Sequence, residues 1–227
     1  MNKEIFNFSQ KFPNKLDIIS LQINEGLGNA LKIGLLECEF EYVARVDSDD
    51  INRSDRFELQ INEFIRNKDL DILGSHIYEF EENIVNIKSK RKVPTKHNEI
   101  YRYQKFRDSF NHMTVMFNKN KVLQSGNYVH CPLMEDSLLW SKMLINKAVT
   151  SNIDDYLVYA RIDSGMHKRR GGYKYFMNYK NARKQILKTG FINSWEYHIS
   201  IFIQLPLALS PNFLRKIIYK YLLRKKV

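Results

Sequence analysis

Residues 41–50 read Glu-Tyr-Val-Ala-Arg-Val-Asp-Ser-Asp-Asp, a short run of strand type that stops in three carboxylates within four positions. A strand that ends in Asp-x-Asp places acids at the edge of a sheet, where oxygen ligands can hold a hard cation. A divalent ion held there with open positions can in turn hold a diphosphate. The same residue types also build ordinary turns and helix caps. The cluster by itself leaves both readings open.

Its surroundings narrow the fold. Residues 16–21 read as a short strand. A helix follows from Asn24-Glu25-Gly26-Leu27-Gly28 to about Cys38, with Leu27, Leu31 and Leu35 four apart on one face. After the acid cluster, residues 53–67 form an amphipathic helix with Phe57, Ile61, Phe64 and Ile65 as its apolar stripe. Strands are expected at 70–80 and 84–87, a helix at 96–106, a buried strand at 113–117 and a helix from Met134 to about Asn146. A last strand covers 156–162, residues 163–172 read as a basic loop, and helices follow near 173–189, 194–209 and 212–224. Strands alternating with helices argue for an α/β sheet carrying a helical C-terminal region.

Charge is unevenly spread. Residues 1–160 hold 21 Lys and Arg against 23 Asp and Glu, whereas residues 161–227 hold 15 against 2. The basic third suggests an anionic partner, either a membrane surface or nucleic acid. Residues 199–209 are apolar but too short to cross a bilayer, which needs about 20 residues. Apolar Phe213, Leu214, Ile217 and Ile218 interleave with Arg215, Lys216 and Lys220, as in a basic helix lying on a membrane or one packed on the domain with a solvated basic edge. Cys38 and Cys131 form no disulfide framework and suit a reducing compartment. The first ten residues lack the apolar core of a signal peptide.

A series of short motifs runs in order between residues 16 and 172. It comprises Asn24-x-Gly26-Leu27-Gly28-x-Ala30-Leu31-x-x-Gly34-Leu35, Ala44-Arg45-Val46-Asp47-Ser48-Asp49-Asp50 and Arg56-Phe57-Glu58-x-Gln60. Asn111-His112-x-Thr114-Val115-Met116-Phe117, Gly126-x-Tyr128, Glu135-Asp136-x-x-Leu139-Trp140 and Arg169-Arg170-Gly171 complete it. In this order the motifs resemble glycosyltransferase family 2, inverting enzymes of GT-A fold, and within it the branch that builds bacterial capsular and exopolysaccharides. The resemblance implies an α/β, GT-A (Rossmann-like) mixed sheet flanked by helices over residues 1–172, and a basic amphipathic helical region over 173–227. The βαβ unit that opens family members has no match here, so the expected domain is N-terminally truncated.

The resemblance also implies roles. Asp47 would lie near the donor ribose and Asp49 would face a Mg²⁺ or Mn²⁺ ion, the two acids forming the metal site for a nucleoside-diphosphate sugar. Asp50 would support them from behind or cap the next helix. Asp136 would be the base that deprotonates the acceptor hydroxyl, with Glu135 orienting it; two acids at a helix start also simply suit the macrodipole. His112 would contact acceptor or donor phosphate, or be a satisfied histidine at the core edge. Arg169 and Arg170 would sit on a loop that closes over the diphosphate, or on a solvated basic loop. Trp140 would line the acceptor site or pack in the core.

The implied activity is inverting transfer of a sugar from a nucleotide-sugar donor to a growing, lipid-linked surface glycan, by a cytoplasmic protein held peripherally on the inner face of the cell membrane. The missing opening unit supports a second reading, a catalytically inactive relative that binds a membrane or a partner. Nucleic-acid binding ranks last: no zinc, helix-turn-helix or RNA-binding signature is present, and the acid cluster repels phosphates without a metal.

Overall fold

The structure, a computed structural model, describes residues 3–13, 15–162 and 170–218. Among the described residues six strands form one mixed sheet: β1 (Tyr42–Ala44), β2 (Ile51–Asn52), β3 (Leu70–Phe80), β4 (Ile87–Arg91), β5 (Met116–Asn118) and β6 (Val149–Arg161). They run in the order β1-β5-β3-β6-β2. β3 and β6 pair in parallel along their whole length, and every other pairing is antiparallel. β5 and β4 share the opposite edge of β3, at Ile72–Leu73 and at Ile77–Phe80. β3 is buried along nearly its whole length, whereas β6 mixes buried with half-buried residues and is exposed at Asp154 and Arg161.

The helices are α1 (Lys3–Lys11), α2 (Leu27–Glu37), α3 (Arg56–Arg66), α4 (His97–Gln104), α5 (Lys119–Gln124), α6 (Glu135–Ile145), α7 (Gly172–Lys188), α8 (Ser194–Leu209) and α9 (Asn212–Ile218). α6 is central, with Leu138, Leu139, Trp140, Met143 and Leu144 all buried. Its core takes Leu35 from α2, Phe117 from β5 and Ala182 and Ile186 from α7. The C-terminal helices are also tied down by polar contacts. Arg183 of α7 donates to Ser200 Oγ of α8 at 3.1 Å, and Lys105 pairs with Glu196 at 2.6 Å. An Asn193–Glu196 capping box opens α8.

Several expectations change. Residues 16–21 form no strand: no described strand pairs with them, and Leu16, Ile18, Ile19 and Leu21 are exposed. A strand needs a neighbour to take its N–H and C=O groups, and apolar alternation does not supply one. β6 begins at Val149 rather than 156, because its pairing with β3 carries it past Asp154–Asp155 through register shifts. Before β5 a 3-10 turn (His112–Thr114) takes the place of the expected start of strand. α3 buries only Phe64 of its expected stripe, together with Arg56 and Gln60, while Phe57, Ile61 and Ile65 are exposed. Arg215 is not on a basic outer stripe. It is buried and donates to Ala208 O at 2.9 Å and Ser210 O at 2.6 Å, meeting carbonyls that the end of α8 leaves unpaired.

Candidate active site

The acid turn is held in place from below by α3. Arg56 Nη2 donates to Arg45 O at 2.9 Å, Nη1 bonds Asn52 Oδ1, and Nε donates to Gln60 Oε1 at 3.0 Å. Gln60 Nε2 in turn donates to Thr114 O at 2.9 Å and Leu73 O at 3.1 Å. Two buried polar side chains thus stitch the end of β1 to the His112–Thr114 turn and to β3. Burial pulls the Arg56 guanidinium down to about 10, with the charge of Arg45 acting in the same direction. The bonds to the Arg45, Leu73 and Thr114 carbonyls are why α3 shows these polar residues to the core.

Within the turn the three acids part company. Asp47 accepts from Arg45 Nη2. Asp50 points inward: its Oδ1 accepts from Arg161 N at 2.8 Å, and its Oδ2 is buried with no partner among the described residues. Burial pushes its carboxyl up to about 6, against the Arg161 bond and with the help of Asp47 and Asp49. Asp49 is exposed, and its backbone carbonyl accepts from Arg161 Nε at 3.1 Å. The end of β6 therefore fixes the turn so that Asp49 faces outward.

The second acid group opens α6. Asp136 is largely buried, its Oδ1 accepts from Ser137 N at 2.8 Å, and its Oδ2 lies 3.8 Å from His112 Nδ1. Burial raises its carboxyl above the ordinary range, opposed by the Ser137 N–H and the charges of Arg45 and Arg91. Burial likewise raises Glu135. His112 Nε2 meets Tyr128 OH at 2.9 Å, and its ring stands edge-on to Trp140. Burial holds this imidazole well below the usual histidine range, with Arg45 pushing the same way. At 3.8 Å His112 Nδ1 and Asp136 Oδ2 are neighbours without a direct hydrogen bond. Trp140 is fully buried in the core.

Asp108 was not among the expected residues. Its carboxyl bonds Ser137, and burial followed by the charge of Asp136 raises it, while Arg91 and Arg170 pull it down. Arg91 Nη2 also donates to the Asp108 carbonyl at 2.7 Å. Arg170 therefore stands close enough for its charge to act at this group; Arg169 lies outside the described residues. The backbone of α2 comes in closely as well. A Cβ on Gly28 would meet Val129 O at 2.9 Å and Glu135 Cβ at 3.3 Å, so only glycine fits there.

Among the described residues, no group of three or more His, Cys, Asp or Glu converges on one point to hold an ion. One or two carboxylates beside substrate phosphates and water are nonetheless what Mg²⁺ takes, so exposed Asp49 with Asp47 is a donor set of the right chemistry. Arg45 joins the two acid groups: its charge acts on Asp50 on one side and on Glu135 and Asp136 on the other.

The mixed sheet flanked by helices is the GT-A fold, shared with solved glycosyltransferases. S. aureus TarS 1-349, solved in complex with UDP-GlcNAc, superposes with a TM-score of 0.61 over 95% of this chain and 62% of its own, at 18% identity. Mannosyltransferase PcManGT from Pyrobaculum calidifontis, solved with GDP-Man and Mn²⁺, gives 0.59 over 89% of this chain and 55% of its own, at 11% identity. The chain thus spans about three fifths of the length of these solved chains. The family model "Glycosyl transferase family 2" matches residues 3–125. UDP-Gal:alpha-D-GlcNAc-diphosphoundecaprenol beta-1,3-galactosyltransferase of Escherichia coli is 38% identical over 91% of this chain and 74% of its own length. The amylovoran biosynthesis glycosyltransferase AmsE of Erwinia amylovora is 33% identical over 81% and 70%. The chain belongs to glycosyltransferase family 2.

Proposed function

We propose that this protein is an inverting, metal-dependent glycosyltransferase that moves a sugar from a nucleoside-diphosphate donor to a lipid-linked glycan in surface polysaccharide assembly. The observation that carries the reading is the juxtaposition of two acid groups of different character. One is an exposed carboxylate at a strand end, Asp49; the other is a largely buried carboxyl, Asp136, held by Ser137 N–H. The 38% identical relative, named for transfer from UDP-Gal onto a diphosphoundecaprenol-linked sugar, supports the substrate classes.

In this reading Asp49, with Asp47, would hold Mg²⁺ or Mn²⁺, which would supply charge neutralisation for a diphosphate leaving group. Asp136 takes the proton of the acceptor hydroxyl as its oxygen attacks the anomeric carbon. The bond from that carbon to the β-phosphate oxygen breaks on the opposite face, so the configuration inverts and the nucleoside diphosphate leaves. Glu135, Asp108 and His112 lie around Asp136, and in this reading His112 serves that side of the site. Arg170, whose charge acts on Asp108, and Arg169, its neighbour in sequence, are the residues we assign to anionic substrate groups.

Among the described residues, no helix is long and apolar enough to cross a membrane. Exposed Trp195, Phe202 (81%), Ile203 and Leu209 on α8 and Phe213 on α9 form the surface that we assign to contact with an anionic membrane. This would bring a lipid-linked acceptor to the site from the cytoplasmic side.

Calorimetry with nucleoside diphosphates and Mn²⁺ tests the reading. Binding that requires Mn²⁺ and disappears in Asp49→Ala is expected. Absence of binding under every metal condition would favour a catalytically inactive relative that acts by binding a membrane or a partner.

A further inference from the structure

Arg45 has no role in the chemistry described so far, yet it lies at the centre of the site. Its side chain is only 9% exposed. Its backbone is fixed on both sides, the N–H donating to Val115 O at 2.9 Å and the carbonyl accepting from Arg56 Nη2 at 2.9 Å. Only the guanidinium is left to choose partners. It donates to Asp47 through Nη2, while Nε is buried and finds no acceptor among the described residues.

Two features separate this contact from a purely structural ion pair. A guanidinium grips a lone carboxylate best through two parallel N–H bonds, but here Nε is left without an acceptor in a place where buried donors are ordinarily satisfied. The carboxylate that it neutralises is also one of the two acids to which the cation is assigned. Asp49 and Asp50, the neighbouring acids, take no bond from Arg45; Asp50 is held by Arg161.

We propose that Arg45 is a partner-exchanging residue of the donor site: it neutralises Asp47 in the protein alone and, once a divalent ion claims Asp47, turns its guanidinium to the diphosphate of the donor. The inference rests on the metal–diphosphate reading of the Asp47–Asp49 turn. The ligand class is a nucleoside diphosphate, whose oxygens match the planar fork and supply the acceptor that Nε lacks. Arg45 then competes with a lone metal ion but assists the ion and diphosphate together. The two ligands are coupled through one side chain, so each binds better in the presence of the other.

The test uses the full chain, Mn²⁺ and UDP. Mn²⁺ alone is followed by electron paramagnetic resonance of the free ion, and UDP is titrated by calorimetry at saturating Mn²⁺. Arg45→Met is expected to bind Mn²⁺ alone about tenfold more tightly and UDP with Mn²⁺ about tenfold more weakly, the scale of one charge-assisted hydrogen bond. Arg45→Lys, which keeps the charge without the fork, should move both affinities the same way but less, and it carries the test if Arg45→Met does not fold. Unchanged affinities, or a parallel loss of both, would overturn the proposal and leave Arg45 a structural ion pair. Failure of the unmodified protein to bind UDP with Mn²⁺ at all would instead remove the metal–diphosphate reading, and the proposal with it.

Discussion

Replacing Arg56 by Met tests whether α3 is anchored by polar bonds rather than by an apolar stripe. The side chain is fully buried and serves Arg45 O, Asn52 and Gln60, with a longer contact of 3.4 Å to Val115 O. Methionine fills much of the volume but leaves these groups unpaired, each at about 1 kcal/mol. Relief of the buried charge offsets part of the loss, so the net cost is about 3 kcal/mol. For a chain of this size that lowers the melting midpoint by about 6–12 °C. Phe57, the residue that the apolar pattern favours, is 43% exposed and packs its ring 5.0 Å from the Arg56 guanidinium. Phe57→Ser should cost no more than about 1 kcal/mol, mostly through loss of that cation–π contact. Equilibrium urea unfolding followed by far-ultraviolet circular dichroism compares the two. A larger loss in Phe57→Ser than in Arg56→Met would refute the assignment of the inward face.

Three further outcomes follow from the site and its surroundings. The positive charge of Arg91 lowers both Asp136 and Asp108, so Arg91→Met should raise the carboxyl that must be ionised; the acid limb of the kcat/KM profile then moves to higher pH, and a shift to lower pH would contradict the assignment. Gly28→Ala drives a Cβ against the backbone carbonyl of Val129 and should cost about 1–3 kcal/mol, read as a lowered midpoint in thermal unfolding. Co-sedimentation with vesicles containing anionic lipid should weaken in Phe202→Ser with Ile203→Ser, with no change in the midpoint of this exposed face; equal sedimentation would remove the membrane surface from the account.

What the sequence made legible was local. The run into Asp47-Ser48-Asp49-Asp50 marked a strand end because three acids in four positions cannot continue a buried strand. Glu135-Asp136 marked a helix start because acids suit that end of the macrodipole. The motif order carried the family, and with it the GT-A fold. What stayed hidden depends on distant partners. Arg161 orients the acid turn from more than a hundred residues away along the chain, and nothing in its own neighbourhood announces this. Asp108 reads as one more surface acid until folding brings Ser137, Asp136 and Arg91 around it. Of the apolar stripe of α3 only Phe64 is buried, because hydrophobic periodicity assigns burial by residue type, whereas Arg56 and Gln60 are drawn inside by unpaired carbonyls of other elements. The only hint was their presence, four apart, in the Arg56-Phe57-Glu58-x-Gln60 motif.

The most direct test of the account is transfer itself. A panel of nucleotide sugars, UDP-Gal among them, is offered with Mn²⁺ and a lipid-diphosphate-linked sugar acceptor, and the product linkage is read by nuclear magnetic resonance. Turnover with inversion at the anomeric carbon is predicted, falling by about 10²–10⁴-fold in Asp136→Asn while UDP binding with Mn²⁺ is kept. Undiminished transfer by Asp136→Asn, or a product of retained configuration, would contradict it.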